Sequence, residues 1–179
     1  MRISTTLSFA ATLLAFAPIA AQAAPLKAVV FDLELVDSGS GPQTAEAARV
    51  KKASDDLRKL LVASGQMTVV DTTPQAAEIA KNLPLRNCHE CDLDIAKALG
   101  ADIEVTTAMQ KISTVILGFS GSIRDVKTGR VLRTGTVDIR GDTDDMWAHG
   151  IKFLVKDRLL DPPLPQDPDA LKAMVDKAP

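Results

Sequence analysis

The sequence is poor in aromatic and sulfur-bearing side chains, with no tyrosine, one tryptophan, five phenylalanines and two cysteines in 179 residues. Sites that stack sugars or nucleobases usually need more aromatic surface than this. The formal net charge is only −2, so no basic surface for nucleic acid is expected. After Ala24 no apolar run approaches the roughly 20 residues of a transmembrane helix. We therefore expect no nucleic-acid partner and no transmembrane segment once a leader has been removed.

The first 24 residues have the three parts of a secretory signal peptide. A charged start at Met1-Arg2 precedes an apolar stretch from Leu7 to Ala20, and Ala21-Gln22-Ala23 matches an A-x-A cleavage site. The stretch is too short to span a bilayer, and Pro18 interrupts it. We predict a signal peptide over residues 1–24, cleaved near Ala23/Ala24, and a periplasmic protein.

Hydrophobic periodicity predicts one α/β domain over residues 25–160. The predicted strands are 27–35, 67–71, 102–111, 113–126 and 130–140, and the predicted helices are 43–63, 74–82, 92–99 and one that begins after the cap Thr143. The order β-α-β-α-α-β-β-β-α favours a parallel crossover followed by an antiparallel meander. The expected fold is a five-stranded mixed sheet with helices packed on it.

Two segments are predicted to lie outside the regular elements. A Gly/Ser-rich loop over residues 36–42 follows the first strand, where open α/β sheets tend to bind ligands, and it makes Asp37, Ser38 and Ser40 candidate ligand-binding residues. Residues 161–179 form a Pro-rich segment with a weak helical pattern at 169–177, and we expect a flexible tail.

Cys88-His89-Glu90-Cys91 is the one segment dense in reactive side chains. An oxidising compartment and the lack of a third cysteine favour a local disulfide between Cys88 and Cys91. Thiol-redox activity is an alternative, because Cys91 precedes a helix whose amino-terminal dipole stabilises a thiolate.

A metal site is the second alternative for this segment. Cys88, His89 and Cys91 supply soft ligands that suit copper or zinc, and Glu90, Asp92 and His149 are possible additional ligands. Structural zinc usually takes two closely spaced ligand pairs, and the sequence has one.

Other acidic residues have structural interpretations. Asp32 and Glu34 alternate with apolar residues on the first strand. An acid–base pair is one interpretation, but we favour N-cap acceptors, ion-pair partners for Arg124 or Arg140, or solvent-facing carboxylates. A further acidic cluster, formed by Asp142, Asp144 and Asp145, precedes the last helix and indicates capping rather than a cation loop.

Four segments carry a resemblance to a known family: AVVFDLELVD, LRKLLVASGQMTVVD, CHECDLDIAKALGAD and GSIRDVKTGRVLRTGTVDIRGDTDDMW. Over residues 26–160 the chain resembles a secreted bacterial family of unknown function. The layout is similar to the amino-terminal domain of TolB and to the periplasmic domains of CsgG-like and FlgO-like proteins. The resemblance implies a periplasmic accessory domain that contacts another envelope protein. Because no catalytic motif is recognisable, we expect neither an enzyme nor a cofactor.

Overall fold

The computed structural model describes residues 24–36, 44–113 and 115–177. The strands are β1 Leu26–Val30, β2 Glu34–Val36, β3 Met67–Val69, β4 Ile103–Lys111, β5 Ile116–Asp125 and β6 Val131–Arg140. The helices are α1 Thr44–Ala63, α2 Ala76–Lys81, α3 Cys91–Ala98, α4 Asp144–Phe153 and α5 Pro168–Lys177, with a π-helical stretch at Leu154–Leu159 after α4. The predicted signal peptide lies outside the described residues except for Ala24, and Asp37, Ser38 and Ser40 lie outside them too.

The sheet is mixed, which confirms the predicted fold class. Its strands run in the order β3-β1-β4-β5-β6, and β2 also pairs with β4. β1 is parallel to both β3 and β4, whereas β4, β5 and β6 form an antiparallel meander. The described helices include none that is both long and apolar enough to cross a bilayer.

The predicted first strand over 27–35 is two strands, β1 and β2, with a break at residues 31–33. The backbone N–H of Leu33 donates to Ser54 Oγ of α1 at 2.9 Å, and the carbonyl of Val30 accepts from Arg58 of the same helix at 3.1 Å. Side chains of α1 therefore satisfy backbone groups that a continuous strand would have paired, which explains the break.

The main core lies between one face of the sheet and the long helices. Leu57 and Leu61 of the apolar stripe of α1 are fully buried there, and Val50 and Leu60 are partly buried. Trp147 of α4 packs edge-on against Phe119 of β5, with ring centroids 5.5 Å apart. Helical spacing of apolar residues is what places these side chains on one face.

The opposite face of the sheet is covered only over its parallel half. There α3 buries Ile95 and Ala96 against Val29 and Phe31 in a second, smaller core. The antiparallel half leaves Thr134 and other polar side chains exposed on this face. An antiparallel sheet tolerates such a solvated face, since alternate residues point to opposite sides.

The carboxyl-terminal segment differs from the predicted flexible tail. Helix α5 packs against the domain and buries Val175, and Leu164 is buried ahead of it. Gln66 Oε1 accepts a hydrogen bond from the Leu164 N–H at 2.8 Å, and Arg130 donates to the Val175 carbonyl at 3.0 Å. Burial of these two apolar side chains stabilises the packed segment, an effect that its polar composition did not predict.

Candidate functional site

Two adjoining grooves open where β1 and β2 end. The first groove has a volume of about 570 Å³ and is lined mainly by apolar side chains of residues 30–35, α2 and residues 83–86. The second groove has a volume of about 480 Å³ and lies between that wall and the open face of the antiparallel strands. The wall shared by both grooves consists of Phe31, Asp32, Glu34, Leu85 and Arg86.

The end of β1 and the segment before α3 form this wall. Phe31 continues the alternation of β1, with its N–H donating to the Val105 carbonyl at 3.1 Å, so its side chain lies in the smaller core, where it packs with the buried Leu85. Leu83, in contrast, is 58% exposed at the rim of the first groove. A large aliphatic side chain left in solvent beside an apolar groove is the kind of surface that protein partners cover.

The charged side chains of the wall all have ionic partners, either within the wall or on α1, whose Arg58 lines the first groove. Arg58 donates to Asp32 Oδ1 at 2.6 Å, and Arg86 Nη1 donates to Glu34 Oε2 at 2.9 Å. Glu34 also accepts from the N–H of Leu85. Ion pairing is one of the expected alternatives, but its expected partners Arg124 and Arg140 are wrong, since Arg58 and Arg86 take that place and Arg124 pairs elsewhere. Paired carboxylates fix the wall and suit recognition better than proton transfer.

Hydroxyl groups line the floor of the second groove. The contributing residues, on β4, β5 and β6, are Thr106, Ser120, Ser122, Thr134 and Thr136. Strand register places Thr106 beside Ser122, which in turn lies beside Thr134. This array of hydroxyl groups offers hydrogen-bond donors and acceptors to an extended ligand.

A buried ionic cluster lies near the second groove. Glu104 of β4 is completely buried, and its carboxylate pairs with Arg124, which also pairs with Asp92 of α3. Glu104 Oε2 has no hydrogen-bond partner among the described residues. Burial, assisted by the negative charge of Asp92 and opposed by Arg124, raises the pKa of Glu104 to about 7.

Local patterns predicted neither this cluster nor the pairing of Arg58 and Arg86 with the carboxylates of the wall. Arg86 stands in a predicted loop, and Arg58 is one of several cations on α1. Glu104 offers one usable signal, since it lies between the apolar residues Ile103 and Val105 of a strand. A carboxyl in such a position must find a cationic or hydrogen-bonding partner.

The two cysteines meet at the start of α3. They are joined as a disulfide, with Cα atoms 5.6 Å apart, and both pack against the smaller core. His89 and Glu90 between them are exposed. A disulfide leaves neither sulfur to ligate a metal, so the metal site stays an alternative for the reduced protein only.

His149 does not lie near the cysteine segment. It is exposed on α4, which packs on the face of the sheet opposite α3. Among the residues that the structure describes, no three His, Cys, Asp or Glu side chains gather to hold a metal. His149 and the cysteine segment therefore do not form one site.

The acidic cluster before α4 makes structural contacts. Thr143 caps the helix by accepting from the Met146 N–H, as predicted, and Asp144 lies in the first turn. Asp142 Oδ1 accepts from the indole N–H of Trp147 at 2.8 Å. Arg49 of α1 bridges Asp142 and Asp144, and these pairs raise the pKa of its guanidinium.

The comparisons place this fold among known proteins. The family DUF3280, described as "Protein of unknown function (DUF2380)", matches residues 26–159. The LpoB C-terminal domain from Salmonella enterica is similar in structure, with a TM-score of 0.51 and 17% identity over 68% of this chain and 87% of that chain. TolB from Acinetobacter baumannii gives a TM-score of 0.44 and 14% identity over 78% of this chain and 29% of that chain. No curated protein matches. The LpoB similarity shows a shared fold.

Proposed function

The chain belongs to the DUF3280 family of unknown function, and we propose that it is a non-enzymatic accessory domain of the bacterial cell envelope that binds a segment of another envelope protein. The observation that carries the proposal is the pair of grooves, with an exposed Leu83 at the rim and paired charges in the shared wall. The resemblance to TolB, CsgG-like and FlgO-like periplasmic domains supports the same role.

The chemistry of the first groove defines the partner. Its lining is chiefly aliphatic and aromatic, and Asp32 and Glu34 already have cationic partners in the groove lining. A partner segment that inserts apolar side chains would bury Leu83 and the groove without leaving a charge unpaired. An ionic ligand would have to break those pairs. We therefore expect an apolar or amphipathic segment in the first groove.

Photo-crosslinking in the periplasm tests the proposal. A photoreactive amino acid in place of Leu83 should give one discrete crosslinked product with an envelope protein. The matched control is Val62, which is 50% exposed on α1 and lines neither groove. Leu83→Asp should also release the partner in a pull-down, whereas Val62→Asp should retain it. Equal crosslinking from both positions, or none from position 83, would contradict the proposal.

Location and processing belong to the same proposal. We infer export to the periplasm with cleavage near Ala23/Ala24 and a folded domain over residues 25–160, against which the carboxyl-terminal segment packs. Amino-terminal sequencing of protein from the periplasmic fraction checks the cleavage. A chain that retains Met1-Arg2 in the cytosol would contradict it. Asp37, Ser38 and Ser40 remain candidate ligand residues, since they follow in sequence Val36, which lines the second groove.

Thiol-redox or metal (copper or zinc) handling through Cys88-His89-Glu90-Cys91 is the second candidate function. The exposure of His89 and Glu90 beside the sulfurs favours it. Intact mass and metal content without reductant, together with the reactivity of the native disulfide toward a dithiol, distinguish the two candidates, because a structural disulfide should be unreactive. For the accessory domain we expect a mass two hydrogens below the reduced chain, no bound metal, and a disulfide stabilisation of about 2 kcal/mol for so small a ring. Free thiols with bound copper or zinc would favour the second candidate.

A further inference from the structure

A third cavity opens at the opposite end of the sheet from the two grooves. Its volume is about 780 Å³, and it lies between the start of β1, the end of α3, the β5–β6 turn and the carboxyl-terminal segment. Its apolar lining includes Leu26, Val126 and Leu171, and its charged lining includes Lys27, Lys97 and Lys127. We call this cavity the basic cleft.

The lysines of the basic cleft are poorly neutralised. Within residues 24–36, 44–113 and 115–177, the ammonium groups of Lys27 and Lys127 have no hydrogen-bond or ion-pair partner. Lys97 Nζ lies 3.7 Å from Asp94 Oδ1, and the two residues form an exposed ion pair three positions apart on α3. Exposed ion pairs of this kind contribute little free energy, so Lys97 can leave Asp94 for another carboxylate with little loss.

The two carboxylates of the cleft are engaged elsewhere. Asp102 Oδ2 accepts the backbone N–H of Lys27 at 2.8 Å. Asp125 Oδ1 accepts both the backbone N–H and the hydroxyl of Thr128, at 2.7 and 2.6 Å. These bonds hold the acidic groups to the backbone of the walls. The two carboxylates keep their charges, so three lysines against two aspartates leave the lining with a net charge of +1, and the lysine ammonium groups have donors available for an anionic occupant.

Signal-peptide cleavage would add a fourth cation. Ala24 and Pro25 line the cleft, and cleavage near Ala23/Ala24 leaves the new amino terminus at its rim. A free α-amino group has a pKa of about 8 and is largely charged near neutral pH. The mature protein would therefore have a more positive cleft than the precursor.

We propose that the basic cleft binds an acidic segment of a partner protein, with carboxylates on Lys27, Lys97 and Lys127 and apolar side chains on Leu26, Val126 and Leu171. The concave shape favours a polypeptide segment, because a membrane surface is contacted by flat or convex basic faces rather than by a cavity. This inference rests on the proposed function only in taking the partner to be a protein, and it assigns a second surface at the other end of the sheet.

Fluorescence anisotropy with a defined probe tests this proposal. The probe is a fluorescein-labelled, end-blocked hexapeptide, Glu-Leu-Glu-Ala-Leu-Glu, titrated with the purified exported protein. We expect saturable binding that weakens with salt, and a loss of affinity of about tenfold or more in K27Q/K97Q/K127Q, from three exposed ion pairs. The control K59Q/K152Q/K156Q removes three exposed helical lysines outside the cleft and should leave the affinity within about twofold.

Three further measurements test whether binding needs the carboxylates of the peptide, whether it involves the first groove, and whether lipid competes with the peptide. The Gln-Leu-Gln-Ala-Leu-Gln peptide should not bind, and Leu83→Asp should leave binding of the acidic peptide unchanged, so the test is independent of the first groove. Vesicles containing phosphatidylglycerol supply the lipid arm. No binding of the acidic peptide, equal losses in both lysine triples, or binding of vesicles in preference to the peptide would overturn the proposal.

Discussion

Replacement of Glu104 by glutamine should remove much of the pH dependence of stability between pH 4.5 and 7. The Glu104 carboxyl is fully buried beside Asp92 and Arg124, and its pKa rises from 4.5 to about 7 in the folded state. Between pH 4.5 and about 7 the Glu104 carboxyl keeps its proton in the folded protein but has released it in the unfolded chain. The free energy of unfolding must therefore fall as pH rises through this range, and the full penalty applies above pH 7.

The size of the effect follows from the shift in pKa. Each pKa unit corresponds to 1.36 kcal/mol, so the shift from 4.5 to about 7 gives a ceiling of about 3 kcal/mol. Glu104→Gln carries no charge at any pH, and it leaves Arg124 paired with Asp92. We expect the variant to be more stable than wild type at pH 8 by up to that ceiling, which already includes the favourable bond from Arg124 to the ionised carboxyl. Near pH 4.5 the two proteins should differ little.

Urea unfolding at pH 5, 6, 7 and 8 measures this difference. The single tryptophan, Trp147, is buried and reports on the unfolding transition by fluorescence. Glu90→Gln is the matched control, since Glu90 is an exposed carboxyl just before α3, the helix that carries Asp92. This variant should keep the wild-type pH dependence of stability. The reasoning is refuted if Glu104→Gln retains the wild-type slope between pH 5 and 7, or if it is the less stable protein at pH 8.

Two further substitutions test the packing of the sheet and of the last helix. Gly135→Ala should destabilise the protein by about 1–3 kcal/mol, because its Cβ would overlap the Cβ of Arg158, whereas Thr134→Ala on the exposed face should change urea stability by less than about 0.5 kcal/mol. Val175→Asp should abolish amide-exchange protection of α5 by placing a charge in the core, and Ala173→Asp on the exposed side should preserve it. Slow exchange of α5 in Val175→Asp would show that the helix is held by other contacts.

Local patterns predicted most of the elements and their order. Helix α1 follows the spacing of its buried residues, and α4 begins where Thr143 caps it. The antiparallel meander follows from three consecutive β-rich runs joined by short turns. These features depend on interactions between residues close in sequence, so the sequence alone contains the information that specifies them.

Local patterns did not predict the packing of the carboxyl-terminal segment. Its composition is polar and rich in proline, yet Leu164 and Val175 are buried against the rest of the domain. Two isolated apolar residues give a weak periodic signal. Their burial depends on a receiving surface that distant strands and helices supply, so composition alone predicted a flexible tail.

The sequence by itself determined most of the elements and their order, the mixed sheet and the proximity of Cys88 to Cys91, because short-range periodicity, capping and spacing encode them. Only the tertiary structure decided the candidate binding surfaces. Asp32 meets Arg58 across 26 positions and Glu34 meets Arg86 across 52, while the basic cleft joins segments from both ends of the described chain. Such contacts form when the folded sheet brings remote segments together, and no local pattern records which charges will meet.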